Sequence, residues 1–491
     1  MPESNLTYAT PESLGIPTQA ILDFLEDMKT FRIPLHSYLV LRHGKVAAEG
    51  YCAPFDAERK HRMYSISKSF TSVAIGMLIT EGRLTLHDKV ADIFPEYVPQ
   101  NPSPYILKAT VRDLLMMAVF NETGCYEWDT PDWVQCFFDN DTYKQMPGTV
   151  FHYDTNATVV LCGIVEKLTG KPMLDYMRPL LDELGISKDI WCIQSPDGRS
   201  WTGSGIMCTP RDLARFGLFC LNRGEWNGKQ WVSREYMLEA TTKQISTYVS
   251  DSGMCRDGYG YQFWIQPDDG FSCNGMGSQY CFMYPKYDLV FVTTADAQGL
   301  NNSEDFIRES MLRTVLRSLK NAPLPEAPEM QQRLKEASVL HLPRMNGALT
   351  SPWAEKANGV KYVFDDNRWG FRWMRLDFSA EACTLTYEKR GEVGSFPLYL
   401  GEYGPEFAFP EKAAGKRIDI LDTNYRCLSQ AAWDMENTLI GNVFAVDDYL
   451  GSIKLQFTFV EDTLTIFATR WAENFFNDWR GYLAGHAVQD A

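Results

Sequence analysis

The sequence has no Cys-x-x-Cys pair, although twelve cysteines are scattered along its 491 residues. That absence excludes zinc knuckles and thioredoxin-type redox motifs. A chain of this size needs no disulfide scaffold. Isolated cysteines in apolar settings, such as Leu161-Cys162-Gly163, therefore read as buried free thiols in a reducing compartment. Histidine is scarce, seven in all, and neither His-x-His nor His-Glu-x-x-His occurs, so no metal site is expected. The Gly-x-Ser-x-Gly turn of α/β-hydrolases is missing too. So is any apolar run of membrane-spanning length. The opening Met-Pro-Glu-Ser-Asn-Leu-Thr lacks the basic and apolar regions of an export signal. Positive charge is in short supply: 47 Lys and Arg stand against 63 Asp and Glu, a net charge of −16. Such a chain repels nucleic-acid phosphates and anionic lipid. The expectation is a cytoplasmic protein with no cofactor, whose partners include neither nucleic acid nor membrane.

What is present suggests two domains. Ile21, Phe24, Leu25 and Met28 recur at helical spacing within 18–30. Ser37–Arg42 and Lys45–Tyr51 flank the turn His43-Gly44 and read as a hairpin. Thr209-Pro210-Arg211-Asp212 reads as a capped helix start, and Asn227-Gly228 as a tight hairpin turn. A proline-rich stretch, Asn321 to Pro328, marks a composition shift. Beyond about residue 345 the pattern is mostly alternating strands. Ile453, Leu455, Phe457 and Phe459 alternate with polar residues, then turn at Glu461-Asp462 into Leu464 and Ile466. The tryptophans there, including Trp369, Trp433 and Trp479, read as core. The expected division is 1–325, a linker over 326–344, and a β-rich domain over 345–491.

The segment from Ser65 to Glu81 has the periodicity of a helix, ended by Gly82. Within it, Ser65-Ile66-Ser67-Lys68 places a serine and a lysine one turn apart, on one face. A serine in the first turn has the positive helix end and a free backbone N–H beside it. A lysine next to it can accept or relay the hydroxyl proton. One element would thus supply nucleophile, activating group and half an oxyanion hole.

This region, over roughly residues 8–320, resembles the serine β-lactamase and penicillin-binding-protein superfamily, in its class C-like branch. That branch includes family VIII esterases, 6-aminohexanoate-oligomer hydrolases and D-aminopeptidases. The resemblance rests on ordered stretches: Tyr64 to Phe70, Leu84 to Asp88, Val111 to Leu115, Pro147-Gly148 through Tyr153 to Glu166, Asp212 to Gly217, and Gly275 to Gln279 leading into Pro285. It implies an α/β (α+β) fold, with an antiparallel sheet flanked by helices and an all-helical subdomain, followed by a separate barrel-like, mostly antiparallel β domain. It also implies that Tyr153 shuttles the proton with Lys68. Thr155 falls where this family usually has asparagine, and Asn156 stands one residue later. The third motif corresponds to Cys273-Asn274-Gly275, without the usual cation, which disfavours a substrate carboxylate anchored there. Gly275 would admit the substrate, and the Met276 N–H would join the Ser65 N–H in the oxyanion hole. The expected activity is acyl-enzyme hydrolysis of small ester, amide or short peptide substrates, in a chain compatible with homo-oligomers. The alternatives are a D-amino-acid-type peptidase or amidohydrolase, a weak β-lactamase, and a non-catalytic binding protein of the same fold.

Overall fold

In the computed structural model, which describes residues 6–119, 130–139, 145–248, 257–300, 303–412, 424–472 and 476–488, the chain divides into two units, Met1–Leu342 and Pro343–Ala491. In the first unit, helix α1 (Thr18–Thr30) leads into a hairpin of β1 (Leu35–Arg42) and β2 (Lys45–Cys52). His43 and Gly44, with φ of 52° and 69°, form its tight turn as expected. Helices α2 (Ser67–Thr80), α3 (Thr155–Thr169) and α4 (Pro210–Leu221) follow. Strands β3 (Phe271–Gly275), β4 (Gln279–Tyr284) and β5 (Leu289–Ala295) then precede helices α5 (Ser303–Thr314) and α6 (Pro328–Ala337).

The strands lie in the order β2-β1-β5-β4-β3, each pair antiparallel. Val40 faces Phe291, and Cys273 faces Cys281. Two short strands, Thr7–Tyr8 and Val339–Leu340, run parallel to β2 on its outer edge. The five main strands form the expected antiparallel sheet, and these two short edge strands make the whole sheet mixed. On one face, Ile21, Phe24, Leu25 and Met28 of α1 pack with Val40, Phe282 and Phe291 and with Ile307 and Met311 of α5. The Phe24 ring meets Phe291 edge-on at 5.0 Å. On the other face lies α4, whose Phe216 stacks on Phe70 of α2 at 3.8 Å. With both faces covered, every residue of β1, β4 and β5 is buried. Apolar–polar alternation fades there for that reason.

Local signals match the helix ends. Gly82 and Gly170 take φ of 71° and 68° just past α2 and α3. Thr209 and Asp212 close a reciprocal capping box on α4. The stretch 326–344, expected to link the domains, contains α6, which sends Leu334 into the core. Ser338 hydrogen-bonds Tyr38 at 2.6 Å, and Val339–Leu340 pairs with β2. The division between the units falls after Leu342.

Among the described residues, the second unit holds one ten-stranded antiparallel sheet whose edge strands are Glu392–Tyr399 and Phe407–Lys412. These edges come together. Phe396 stacks on Phe407 at 5.9 Å, Ser429 Oγ donates to Pro397 O at 2.6 Å, and Leu400 bridges Ala431. The result is a nearly closed barrel. Phe371, Tyr387, Phe396, Phe409 and Trp479 fill it edge-to-face. The buried Lys389 pairs with Glu411 and, at 3.0 Å, with Asp478. The hairpin predicted around Glu461-Asp462 forms, with Glu461 at φ 53°.

All ten cysteines among the described residues are unbridged, and eight are buried. Cys125 and Cys255 lie outside the described residues. No helix among the described residues is long and apolar enough to cross a membrane.

Candidate active site

The chain enters the site from the short strand His61–Arg62, which pairs with Ile206–Cys208. Tyr64 then takes a left-handed φ of 47°, a conformation that costs a non-glycine residue about 1–2 kcal/mol. It opens a 3-10 turn, Tyr64–Ile66, that runs into α2. The α-helix expected from Ser65 therefore begins at Ser67, and Ser65 sits in the tighter turn before it. The turn is backed by Arg62, which is buried. Its guanidinium lies 4.4 Å from the Tyr64 ring centre and 5.1 Å from that of Trp201. Its Nε and Nη2 donate to Ser204 O and Oγ at 3.1 and 3.2 Å.

The next three residues point three ways. Ser67 Oγ accepts from Ile206 N at 3.0 Å, and Ser69 Oγ donates to Gln262 O at 2.7 Å. Between them, Lys68 Nζ donates to Ser65 Oγ at 2.9 Å and to Gly203 O at 2.5 Å. Lys68 is buried, with 1% of its surface exposed, while Ser65 is half-buried. A Cβ on Gly203 would lie 2.5 Å from Thr155 Cγ2. Only glycine lets this carbonyl come so close.

Tyr153 precedes α3, with its ring centre 5.1 Å from Lys68 Nζ. Its ring stacks on Trp264 at 5.4 Å and meets Tyr259 edge-on at 6.3 Å. Burial, with Tyr153 beside it, pushes the Tyr259 phenol well above its ordinary range. Asp154 caps α3 by accepting from Asn156 N at 2.8 Å, and Asn156 is buried. The structure thus gathers Ser65, Lys68, Tyr153 and Thr155. His152 is exposed.

Strand β3 reaches the same place from the sheet. A Cβ on Gly275 would lie 2.3 Å from Met63 O, so glycine lets β3 lie against the serine turn. Met276 follows, half-buried. Asn274 is buried, its Oδ1 accepting from Ser272 Oγ at 2.6 Å. Cys273 is buried as well, and burial pushes its thiol up to about 12 despite a hydrogen bond to Ser69. The position where related motifs carry a cation is therefore a buried neutral thiol.

Several supporting residues carry no sequence signal. Gln262, at φ 62°, donates to Leu114 O and Leu115 O and accepts from Thr158 Oγ1 at 2.7 Å. With Ser69 it ties α2, α3 and the helix Val111–Leu115 together. His36 Nδ1 lies 2.9 Å from His61 Nε2, and His61 Nδ1 lies 3.1 Å from Arg62 O. The carbonyl requires a proton on His61 Nδ1, so His36 donates to His61. Burial holds both rings below the ordinary histidine range, His61 at about 4. Asp296, just past β5, is buried, and burial pushes its carboxyl up to about 7. Among the described residues, no three His, Cys, Asp or Glu side chains converge to hold a metal.

Comparison with known proteins agrees with this architecture. A family model described as Beta-lactamase matches residues 24–316. A curated 6-aminohexanoate-dimer hydrolase of Paenarthrobacter ureafaciens is 28% identical over 310 residues, 58% of this chain and 79% of that protein. A Bacillus anthracis structure, provisionally assigned as a 6-aminohexanoate-dimer hydrolase, superposes with a TM-score of 0.51. It is 20% identical, over 63% of this chain and 86% of its own. An octameric penicillin-binding-protein homologue from Pyrococcus abyssi is 17% identical, with a TM-score of 0.47, over 95% of this chain and 99% of its own.

Proposed function

The chain belongs to the Beta-lactamase family, and from that premise we propose that it is a serine hydrolase acting through an acyl-enzyme on small ester or amide substrates. The observation that carries this reading is the 2.9 Å contact between Ser65 Oγ and the buried Lys68 Nζ. Catalysis belongs to the first unit. Ser65 Oγ attacks the carbonyl carbon while its proton passes to Lys68 and Tyr153. That proton leaves with the departing alcohol or amine. Water then adds to the acyl-enzyme, the acid departs, and Ser65 regains a proton. The Ser65 and Met276 N–H groups stabilise the oxyanion formed in each half. The buried thiol at Cys273 offers no anchor for a substrate carboxylate, which favours uncharged acyl groups. Unbridged cysteines support a cytoplasmic setting.

A fluorophosphonate probe tests the reading. Mass mapping should find the label on Ser65, and Ser65→Ala should abolish it. An unlabelled, folded wild type that also fails to turn over p-nitrophenyl esters would favour a non-catalytic binding protein. The similarity to a 6-aminohexanoate-dimer hydrolase favours amide substrates within this class. Matched ester and amide pairs would separate an esterase from an amidohydrolase.

A further inference from the structure

The turn joining β3 to β4 is gripped from behind at three successive carbonyls. Gln279 Nε2 donates to Met276 O at 3.0 Å, Ala297 N to Gly277 O at 3.1 Å, and Thr293 Oγ1 to Ser278 O at 3.2 Å. Gln279 makes the first of these grips and anchors it to β5. Its Nε2 also donates to Ala295 O at 2.6 Å, while its Oε1 accepts from Ala295 N at 3.0 Å. The side chain is fully buried, and its backbone is the register partner of Gly275. Gly277 and Ser278 hold left-handed φ of 78° and 74°, so the turn has little freedom of its own. In a trans peptide the N–H and C=O point in opposite directions. Carbonyls drawn toward β5 therefore turn away from it the N–H groups of the same peptides, those of Gly277, Ser278 and Gln279. The Met276 N–H is held through the Met276 Cα that the first of these peptides shares with it.

We propose that Gln279 is a positioning residue for the oxyanion. One amide clamps the Gly275–Gly277 turn to the end of β5 and sets the N–H groups it presents beside Ser65. This rests on the serine-hydrolase reading, in which the turn supplies the second donor. Gly275 fixes how closely the turn approaches the serine, through its contact with Met63. Gln279 fixes how the turn is rotated. Without the amide, the Met276 carbonyl loses its donor, the Met276–Gly277 peptide can pivot about the Met276 Cα, and the adjoining peptide that carries the Met276 N–H shifts with it. A misplacement of about 1 Å in such a donor is enough to cost on the order of a hundredfold in rate.

The test uses Gln279→Leu and Gln279→Glu in the full chain, with p-nitrophenyl ester turnover as the readout. The leucine variant should lose about 10- to 100-fold in kcat, less than the 10²–10³ lost when a donor is removed outright. KM should stay unchanged. In the glutamate variant, an ionised carboxylate cannot donate to Met276 O or Ala295 O, whereas the protonated acid can donate once. Its activity relative to wild type should therefore rise as pH falls. A folded leucine variant with wild-type kcat, or with only KM altered, overturns the clamp. If the leucine variant does not fold, a pH-independent ratio for the glutamate variant does so instead. Failure to label Ser65 in the wild type would sink the hydrolase reading and the clamp together. A labelled wild type with an unaffected leucine variant sinks the clamp alone.

Discussion

One methyl group at Gly203 tests how tightly the site is built. In Gly203→Ala it would collide with Thr155 Cγ2 and displace the carbonyl that holds Lys68. The expected cost is about 1–3 kcal/mol of stability, with a fall in kcat. Thr155→Ser removes the opposing methyl, so the double variant should regain most of both losses. Denaturant unfolding and kcat across the cycle check this, and a double variant no better than Gly203→Ala refutes it. The buried titrating groups make a second prediction. His36 and His61 stay neutral in the fold, while the unfolded chain takes up protons below about 6.5. Stability therefore drops as pH falls from about 6.5 toward about 4. Asp296 works the other way. Its folded carboxyl keeps a proton up to about 7 that the unfolded chain releases near 3.8, so its contribution is lost as pH rises across that window. Asp296→Asn should thus stabilise the protein by roughly 1–4 kcal/mol near pH 8, leave it unchanged near pH 4, and steepen the acid limb. Melting temperature against pH decides, and equal shifts at both ends would rule it out. Ser65 and Lys68 were legible in sequence because one helical turn holds them. Arg62 and Gln262 were not, because Ser204, Trp201, Leu114 and Thr158 lie far away in the chain and only the fold brings them near; nor was Asp296, whose burial only the fold creates.

Strand β3 depends on a missing side chain. Gly275→Ala would place a carbon against Met63 O, and backbone gives way less readily than a side chain. The strand should be pushed off the serine turn, and kcat for p-nitrophenyl esters should fall at least tenfold. Retained activity would mean that β3 does not form part of the site. Helices with chemical punctuation were readable as sequence: α4 opens with its capping box, and Gly82 stops α2. The start of α2 was not, because a 3-10 turn keeps the i, i+3 proximity on which the reading relied. What distinguishes that turn is the left-handed Tyr64, a residue type that gives no hint of it.

At the scale of the whole chain, the two-part division was legible from composition, but the role of α6 was not. Its charged, proline-flanked sequence conceals one apolar anchor, Leu334, and a strand that pairs with β2. A chain cut at residue 325 should melt about 5 °C or more below one cut at 342, given the loss of that burial. Calorimetry of the two truncations checks this, and equal melting points would mean that α6 contributes nothing. The eight buried thiols carry a further consequence. A reagent can modify them only when the surrounding structure opens, so each is a built-in clock for its own neighbourhood. Cys273 would report openings of the strand beside Ser65, and Cys383 and Cys427 those of the barrel. Timed alkylation with peptide mapping would yield a map of local breathing from the native chain, with no label introduced.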